Sequence, residues 1–268
     1  MNELLLLRSY GDFVVALNAL QQSHHPSFAI TASAHLASLY EALAETLPPS
    51  SVPAINYKDW GIDKGLLRVF TNKHVFSYRT LQEIRALQAY ISEQPVQFWV
   101  EQYRRKNILS FFIGKAVSPI HTSGNIYQSY AHFFSAVYPS IEKRVNNNNY
   151  FLFPDSRLRK KQIPEHIIET LQARAKSVGI NMVVWRFQQQ YHNFKDLCKA
   201  IQEAAFVISA DSLPAHVAQY MGTPHGILYA NNINEEWITP YAKKNGTAAC
   251  FTDYSKLLER AKQLNLIN

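Results

Sequence analysis

The chain has 268 residues, of which 47% are hydrophobic, 13% aromatic and 18% charged. That is too much material to bury for a disordered or fibrous chain, and the length suits one large domain or two small ones. The longest aliphatic run, residues 4–7, falls far short of the roughly 18 to 20 apolar residues that span a bilayer. Glu3 also stands where a secretory leader would be cationic, so the expectation is a cytoplasmic protein without a transmembrane helix. Cys198 and Cys250, the only two cysteines, build no disulfide framework and no cluster with zinc spacing, and are expected to be reduced. The net charge of +7 makes phosphorylated ligands, nucleic acid and anionic membrane surfaces candidate partners.

In chain order, residues 4–8, 27–31, 66–70 and 108–113 read as strands, and residues 13–22, 34–47, 80–91 and 128–138 as helices. The four asparagines at 146–149 favour a turn over either regular element and mark a linker. This divides the chain into an N-terminal domain, 1–145, and a C-terminal domain, 150–268, with the last helix a candidate to cross back. Beyond the linker, apolar runs at 150–153, 180–185, 205–209, 225–229 and 247–251 read as buried strands. Amphipathic stretches at 164–176, 194–203, 213–221 and 253–264 alternate with them. Such alternation predicts an α/β fold with a parallel sheet, whose ligands bind beyond the carboxyl ends of the strands.

Three segments at predicted strand ends could carry chemistry. After the first strand comes Ser9-Tyr10-Gly11-Asp12, where Gly11 permits a tight turn. Asp12 is either a helix cap, favoured by the positive end of the helix dipole, or a general base at the mouth of the sheet. Residues 153–164, FPDSRLRKKQIP, put Ser156 and the cations Arg157, Arg159, Lys160 and Lys161 between a strand and a helix. They form either a solvated loop or a phosphate ligand. The third segment begins Ser209-Ala210-Asp211-Ser212-Leu213-Pro214-Ala215-His216 and runs a strand directly into a helix. Unpaired amides there, with the Ser212 hydroxyl, would suit an anion. His216 is either a satisfied structural histidine or a group facing the ligand. Gly222-Thr223-Pro224 ends that helix.

The order of these segments resembles the heptosyltransferase-like glycosyltransferases of family 9. DSLPAHVAQYMGTP is similar to the family's DSGPMHLAAALGTP signature, KQIP to its KxWP element, and SYGD to its GD element. The resemblance implies an α/β architecture of two Rossmann-like domains facing a cleft, the glycosyltransferase B fold, with a less regular first domain. It implies a metal-independent inverting transfer from a nucleotide diphosphate sugar to a hydroxyl acceptor, and no cofactor. The acceptor would be a glycan or glycolipid, a precursor of cell-surface glycan. Asp12 would be the base, with Gly11 beside it. Ser156, Arg157, Lys161, Asp211, Ser212, Leu213 and His216 would contact the donor. Work at the inner face of the membrane, with peripheral association, would suit such an acceptor.

Two departures from the family pattern are visible. Leu213 replaces a glycine that lets the backbone approach the diphosphate, and Arg186-Phe187-Gln188-Gln189-Gln190 stands where the family shows glycines and a donor-contacting glutamate. They motivate the alternative of a degenerate relative that binds a nucleotide or sugar phosphate without transfer. A nucleic-acid-binding reading rests on charge and on Tyr103-Arg104-Arg105-Lys106 alone. It lacks a recognised motif, so no nucleic acid is expected. The sequence also has no DxD triplet, GxGxxG fingerprint, GxxxxGK loop, GxSxG elbow or HExxH helix.

Overall fold

The computed structural model describes residues 2–7, 9–23, 28–47, 54–59, 78–93, 95–101, 117–141 and 148–266. The described residues form two compact units. One runs as far as Val137 apart from Glu45–Leu47, and the other holds those three residues with Tyr138 onward.

In the first unit, strands β1 (Asn2–Leu6), β2 (Phe28–Ser33), β3 (Asn56–Lys58), β4 (Gln97–Val100) and β5 (Val117–Pro119) make a sheet in the order β3-β2-β1-β4-β5. All its pairings are parallel. β1 is central and takes buried neighbours on both faces, which is why its sequence is a run of leucines without alternation. Helices α1 (Tyr10–Gln21), α2 (Ala37–Thr46), α3 (Tyr78–Glu93) and α4 (Ile126–Phe134) accompany it. α1 packs on α4, and Leu5, Leu7, Leu87, Phe98 and Val100 share a core. Glu3 is buried inside this sheet and accepts the Tyr90 hydroxyl at 2.5 Å, so a polar pair takes the place of an apolar one in the middle of the layer.

The second unit is a sheet of β6 (Asn149–Phe153), β7 (Asn181–Val184), β8 (Phe206–Ala210), β9 (His225–Tyr229) and β10 (Ala248–Cys250), in the order β10-β9-β8-β6-β7. It too is wholly parallel. Its helices are α5 (Glu165–Ser177), α6 (Phe194–Glu203), α7 (Leu213–Tyr220), α8 (Pro240–Asn245) and α9 (Ser255–Leu266). β6, β8 and β9 are buried almost throughout. α9 contributes Leu257, Leu258 and Ala261 to the same core as Tyr150, Leu152 and Ile208. Gly226 makes this approach feasible, because a Cβ there would lie 2.4 Å from Leu257 Cδ1 and 2.9 Å from the Thr247 carbonyl. Gly222 ends α7 with φ +67°, and the Thr223 amide returns to the Ala218 carbonyl at 2.9 Å in a Schellman closure.

The α/β class and the two parallel sheets agree with the sequence expectation, and every C-terminal strand and helix expected is present within a few residues. Three short strands of the first unit, β3, β4 and β5, were not expected. Each is only three or four residues long and gives no periodicity to detect. The expected strands 66–70 and 108–113, and the basic segment 103–106, lie outside the described residues.

His225 is completely buried, donating from Nδ1 to the Thr223 carbonyl at 2.8 Å and lying 2.7 Å from the Thr239 hydroxyl through Nε2. Burial pushes its imidazole down to about 4, and His216 adds to the effect. The unfolded imidazole takes up a proton as pH falls below about 6.5, whereas the folded one does not until about 4. Its contribution is therefore complete above pH ~6.5 and is lost as pH falls toward 4, with about 2 kcal/mol gone by pH ~5. Urea midpoints measured between pH 7 and 5 should show this fall, and His225→Gln should flatten it.

Candidate functional site

Parallel strand order reverses at one point in each sheet, between β1 and β4 in the first and between β6 and β8 in the second. The loops that leave the carboxyl ends of those strands diverge there and leave room for a ligand.

In the second unit the loop after β6 is built around Asp155. Its Oδ2 accepts the Phe187 amide at 2.9 Å, and its Oδ1 accepts Gln162 Nε2 at 3.2 Å and the Arg186 guanidinium at 3.4 Å. Its backbone carbonyl accepts the Ser212 hydroxyl at 3.2 Å. One residue thus ties together the loops following β6, β7 and β8. The basic segment closes on itself through the Ile163 amide to the Pro154 carbonyl at 3.0 Å and winds into a 3-10 turn, Arg159–Lys161. Arg157, Arg159 and Lys160 face water. Lys161 turns inward, and its Nζ donates to Asp211 Oδ2 at 2.5 Å. Asp211 is buried, while the lysine side chain keeps 30% of its surface. An ammonium has three N–H donors, so this contact leaves Lys161 others for an anion.

The structure places each of these residues as follows. The Ser212 hydroxyl makes no cap bond to α7 and is held by the Asp155 and Ala210 carbonyls, so it does not extend the helix-start donors. Pro214 has no N–H and the Ala215 amide donates to the Ser212 carbonyl at 3.2 Å, which leaves the amide of Leu213 at the first helical position. Leu213 itself is half-buried. His216 does not face outward. It is buried, with its ring edge-on to Trp237 at a centroid distance of 5.9 Å. Ser156 lies half-buried beside Asp155.

In the first unit, β1 leads through Leu7 to Ser9, which precedes α1 in extended conformation. The Ser9 hydroxyl caps no amide and donates to Asp12 Oδ2 at 2.6 Å. Asp12 is buried within the first turn of α1. Gly11 is the second residue of that helix, and its φ is not positive. The expected tight turn at Gly11 is therefore absent, because the helix begins one residue earlier, at Tyr10. Nearby, the buried Glu101 accepts the Leu7 amide on both carboxylate oxygens at 3.1 Å, and its carbonyl accepts the His121 amide at 3.0 Å. The His121 ring, also buried, lies 2.9 Å from the Ser129 hydroxyl through Nδ1.

Glu101, His121 and Asp155 were not singled out from the sequence, and Phe187 entered only as part of the Arg186–Gln190 departure. The run Val96-Gln97-Phe98-Trp99-Val100 after Pro95 was the available sign that Glu101 ends a strand, and Asp155 follows a predicted strand by two residues. The Tyr191 phenol, buried and facing the Asp155 charge, is pushed up to about 12. Burial and then Asp211 raise the Tyr229 phenol as well, and its hydroxyl has no partner among the described residues. Both phenols are neutral near pH 7. Also among the described residues, no group of three His, Cys, Asp or Glu side chains could hold a metal ion, and no helix is long and apolar enough to cross a membrane.

No family model and no curated sequence matches the chain. Solved structures do. E. coli heptosyltransferase WaaC with ADP-2-deoxy-2-fluoro heptose is similar at a TM-score of 0.57 and 14% identity, with 100% of each chain covered. The glycosyl transferase family 9 protein from Veillonella parvula is similar at 0.57 and 11%, covering 100% of this chain and 98% of that one. E. coli ADP-heptose heptosyltransferase II is similar at 0.54 and 14%, covering 100% and 99%. The fold is heptosyltransferase-like. In this glycosyltransferase B fold both sheets are of the Rossmann-like kind that the resemblance implied.

On the heptosyltransferase-like scaffold, Asp155 is the residue whose side chain braces the loops after β6 and β7, while its backbone carbonyl keeps Ser212. Asp155→Ala is expected to lower stability by about 1 to 3 kcal/mol, the cost of leaving its donors unpaired. It should also speed hydrogen exchange at the Phe187 amide, both readable from urea melts and exchange mass spectrometry. Unchanged exchange would show that the loop holds itself, through the Arg186 amide to Gln190 Oε1 at 2.8 Å.

Proposed function

We propose that this protein is an inverting glycosyltransferase that moves a sugar from a nucleotide diphosphate sugar to a hydroxyl of a glycan or glycolipid acceptor. The observation that carries the reading is the Lys161–Asp211 pair at the point where strand order reverses in the second sheet. Segments similar to KxWP and to the DSGP signature meet there, on a fold shared with enzymes whose structures hold ADP or an ADP-sugar analogue.

In this reading residues 150–268 form the donor-binding domain and residues 1–145 the acceptor-side domain. Lys161, Arg157, Ser156 and the Leu213 amide hold the diphosphate, and Asp211, Ser212 and His216 shape the pocket behind it. Lys161 and Arg157 stabilise the negative charge that grows on the departing diphosphate, a role a divalent metal plays elsewhere. Asp12 takes the proton from the acceptor hydroxyl as that oxygen attacks the anomeric carbon. The bond from that carbon to the diphosphate oxygen breaks, with inversion. The Ser9 hydroxyl, donating to Asp12 Oδ2, holds the carboxylate in place. Exposed Arg159 and Lys160 suit work beside an anionic membrane face.

A second reading, binding without transfer, draws on Leu213 at the first position of α7 and on the Arg186–Gln190 loop. Two variants separate them. Lys161→Gln, which keeps a donor for Asp211, should weaken binding of a nucleoside diphosphate by about ten-fold to over a hundred-fold in calorimetry, the worth of a charge-assisted contact. Unchanged affinity would remove Lys161 from the site. Asp12→Asn should bind the same nucleotide as the wild type yet lose about 10²- to 10⁴-fold in transfer rate, assayed with excess chelator and a panel of glycan acceptors. Wild-type turnover surviving in Asp12→Asn would exclude it as the base, and turnover abolished by chelator would contradict transfer without a metal. Tight donor binding with no turnover on any acceptor would favour the binding protein.

A further inference from the structure

Phe187 is a large aromatic side chain left 51% exposed, on the loop that follows β7 at the carboxyl edge of the second sheet. Its ring is nonetheless well supported. It lies 5.5 Å from Tyr191, which in turn meets Phe153 at 6.0 Å and Trp185 at 6.5 Å. Phe153 belongs to the buried strand β6, so the series of rings runs from the core to the surface. The backbone beneath is pinned as well. The Phe187 amide is held by Asp155 at 2.9 Å, and the Gln188 amide donates to the Tyr191 carbonyl at 2.8 Å. Gln188 adopts φ +64°, in the left-handed region. A non-glycine residue persists there only when its surroundings over-determine it, and such residues gather at ligand clamps.

Asp155 links this loop to the anion-binding residues. The carboxylate that receives Phe187 belongs to the residue whose carbonyl holds Ser212, one position from Asp211 and its partner Lys161. We propose, resting on the nucleotide-binding reading above, that Phe187 seated on Tyr191 is a stacking platform for the planar base of the bound nucleotide. The base rather than the sugar is favoured by what surrounds the ring. Gln188 and Gln189 are exposed beside it, and a carboxamide offers both a donor and an acceptor, the complement of a base edge. Tyr191, buried behind it, adds an apolar backing.

The test compares a base-bearing ligand with one that has none. Calorimetry or competition with ADP, UDP, inorganic pyrophosphate and a hexose 1-phosphate would be run on wild type, Phe187→Ala and Phe187→Tyr. Stacking of one base on an aromatic side chain corresponds to about a five- to 150-fold change in affinity. Phe187→Ala should weaken the two nucleotides by that factor and leave pyrophosphate unchanged, and Phe187→Tyr should restore them. Nucleotide affinities unchanged in Phe187→Ala, while Lys161→Gln still weakens them, would overturn the platform and leave the nucleotide site standing. Equal loss for nucleotides and pyrophosphate would overturn it too, showing a loop that only supports the phosphate ligands. Loss confined to the hexose phosphate would reassign the ring to the sugar. A wild type that binds neither nucleotide would overturn the platform and the donor-site reading together.

Discussion

Both sheets are entirely parallel, and the rest of the structure depends on that constraint. A parallel strand cannot be followed by a tight hairpin, so the chain must leave each one at its carboxyl end and return through a crossover. All the loops that follow strands therefore collect along one edge of each sheet. Where strand order reverses, two neighbouring loops turn to opposite faces and a space opens between them. Ser9 and Asp12 with Glu101 occupy that place in the first unit, and Asp155 with Asp211 in the second.

Burial then decides how the polar groups at these edges behave. Asp211 is almost fully enclosed, and a carboxylate in that setting is stable only with a partner. Lys161 supplies it, and the pairing orders a basic segment that would otherwise be a solvated loop. Asp155 works differently. It is partly exposed and carries its charge to three donors on two loops, so it acts as a brace. Together they distinguish the inward-turned Lys161 from Arg157, Arg159 and Lys160, which share its sequence neighbourhood but keep their charge in water.

The same distinction applies to the histidines and hydroxyls. His216 and Ser212 stand in the same segment at the start of α7, yet one packs against Trp237 and the other hydrogen-bonds the Asp155 carbonyl. They shape the second unit's edge by holding its loops. In the first unit the Ser9 hydroxyl is likewise committed to Asp12, which is held as a buried carboxylate in the first turn of α1.

Much of the second unit was legible in the sequence because its strands are continuous apolar runs separated by amphipathic helices, a pattern set by local burial alone. The positions of Asp12, Lys161 and Asp211 at strand ends followed from that alternation. The short strands β3, β4 and β5 were not legible, since three or four residues carry no period, and Glu101 was hidden with them. Chain order by itself determined the α/β class, the strand ends and the candidates standing at them. Only the tertiary structure decided which of four neighbouring cations reaches Asp211, that His216 points into the protein, and that Phe187 meets Asp155, 32 residues away. Such contacts join strands that are adjacent in the sheet but distant along the chain, and that adjacency is set by the crossover order, which no local pattern encodes.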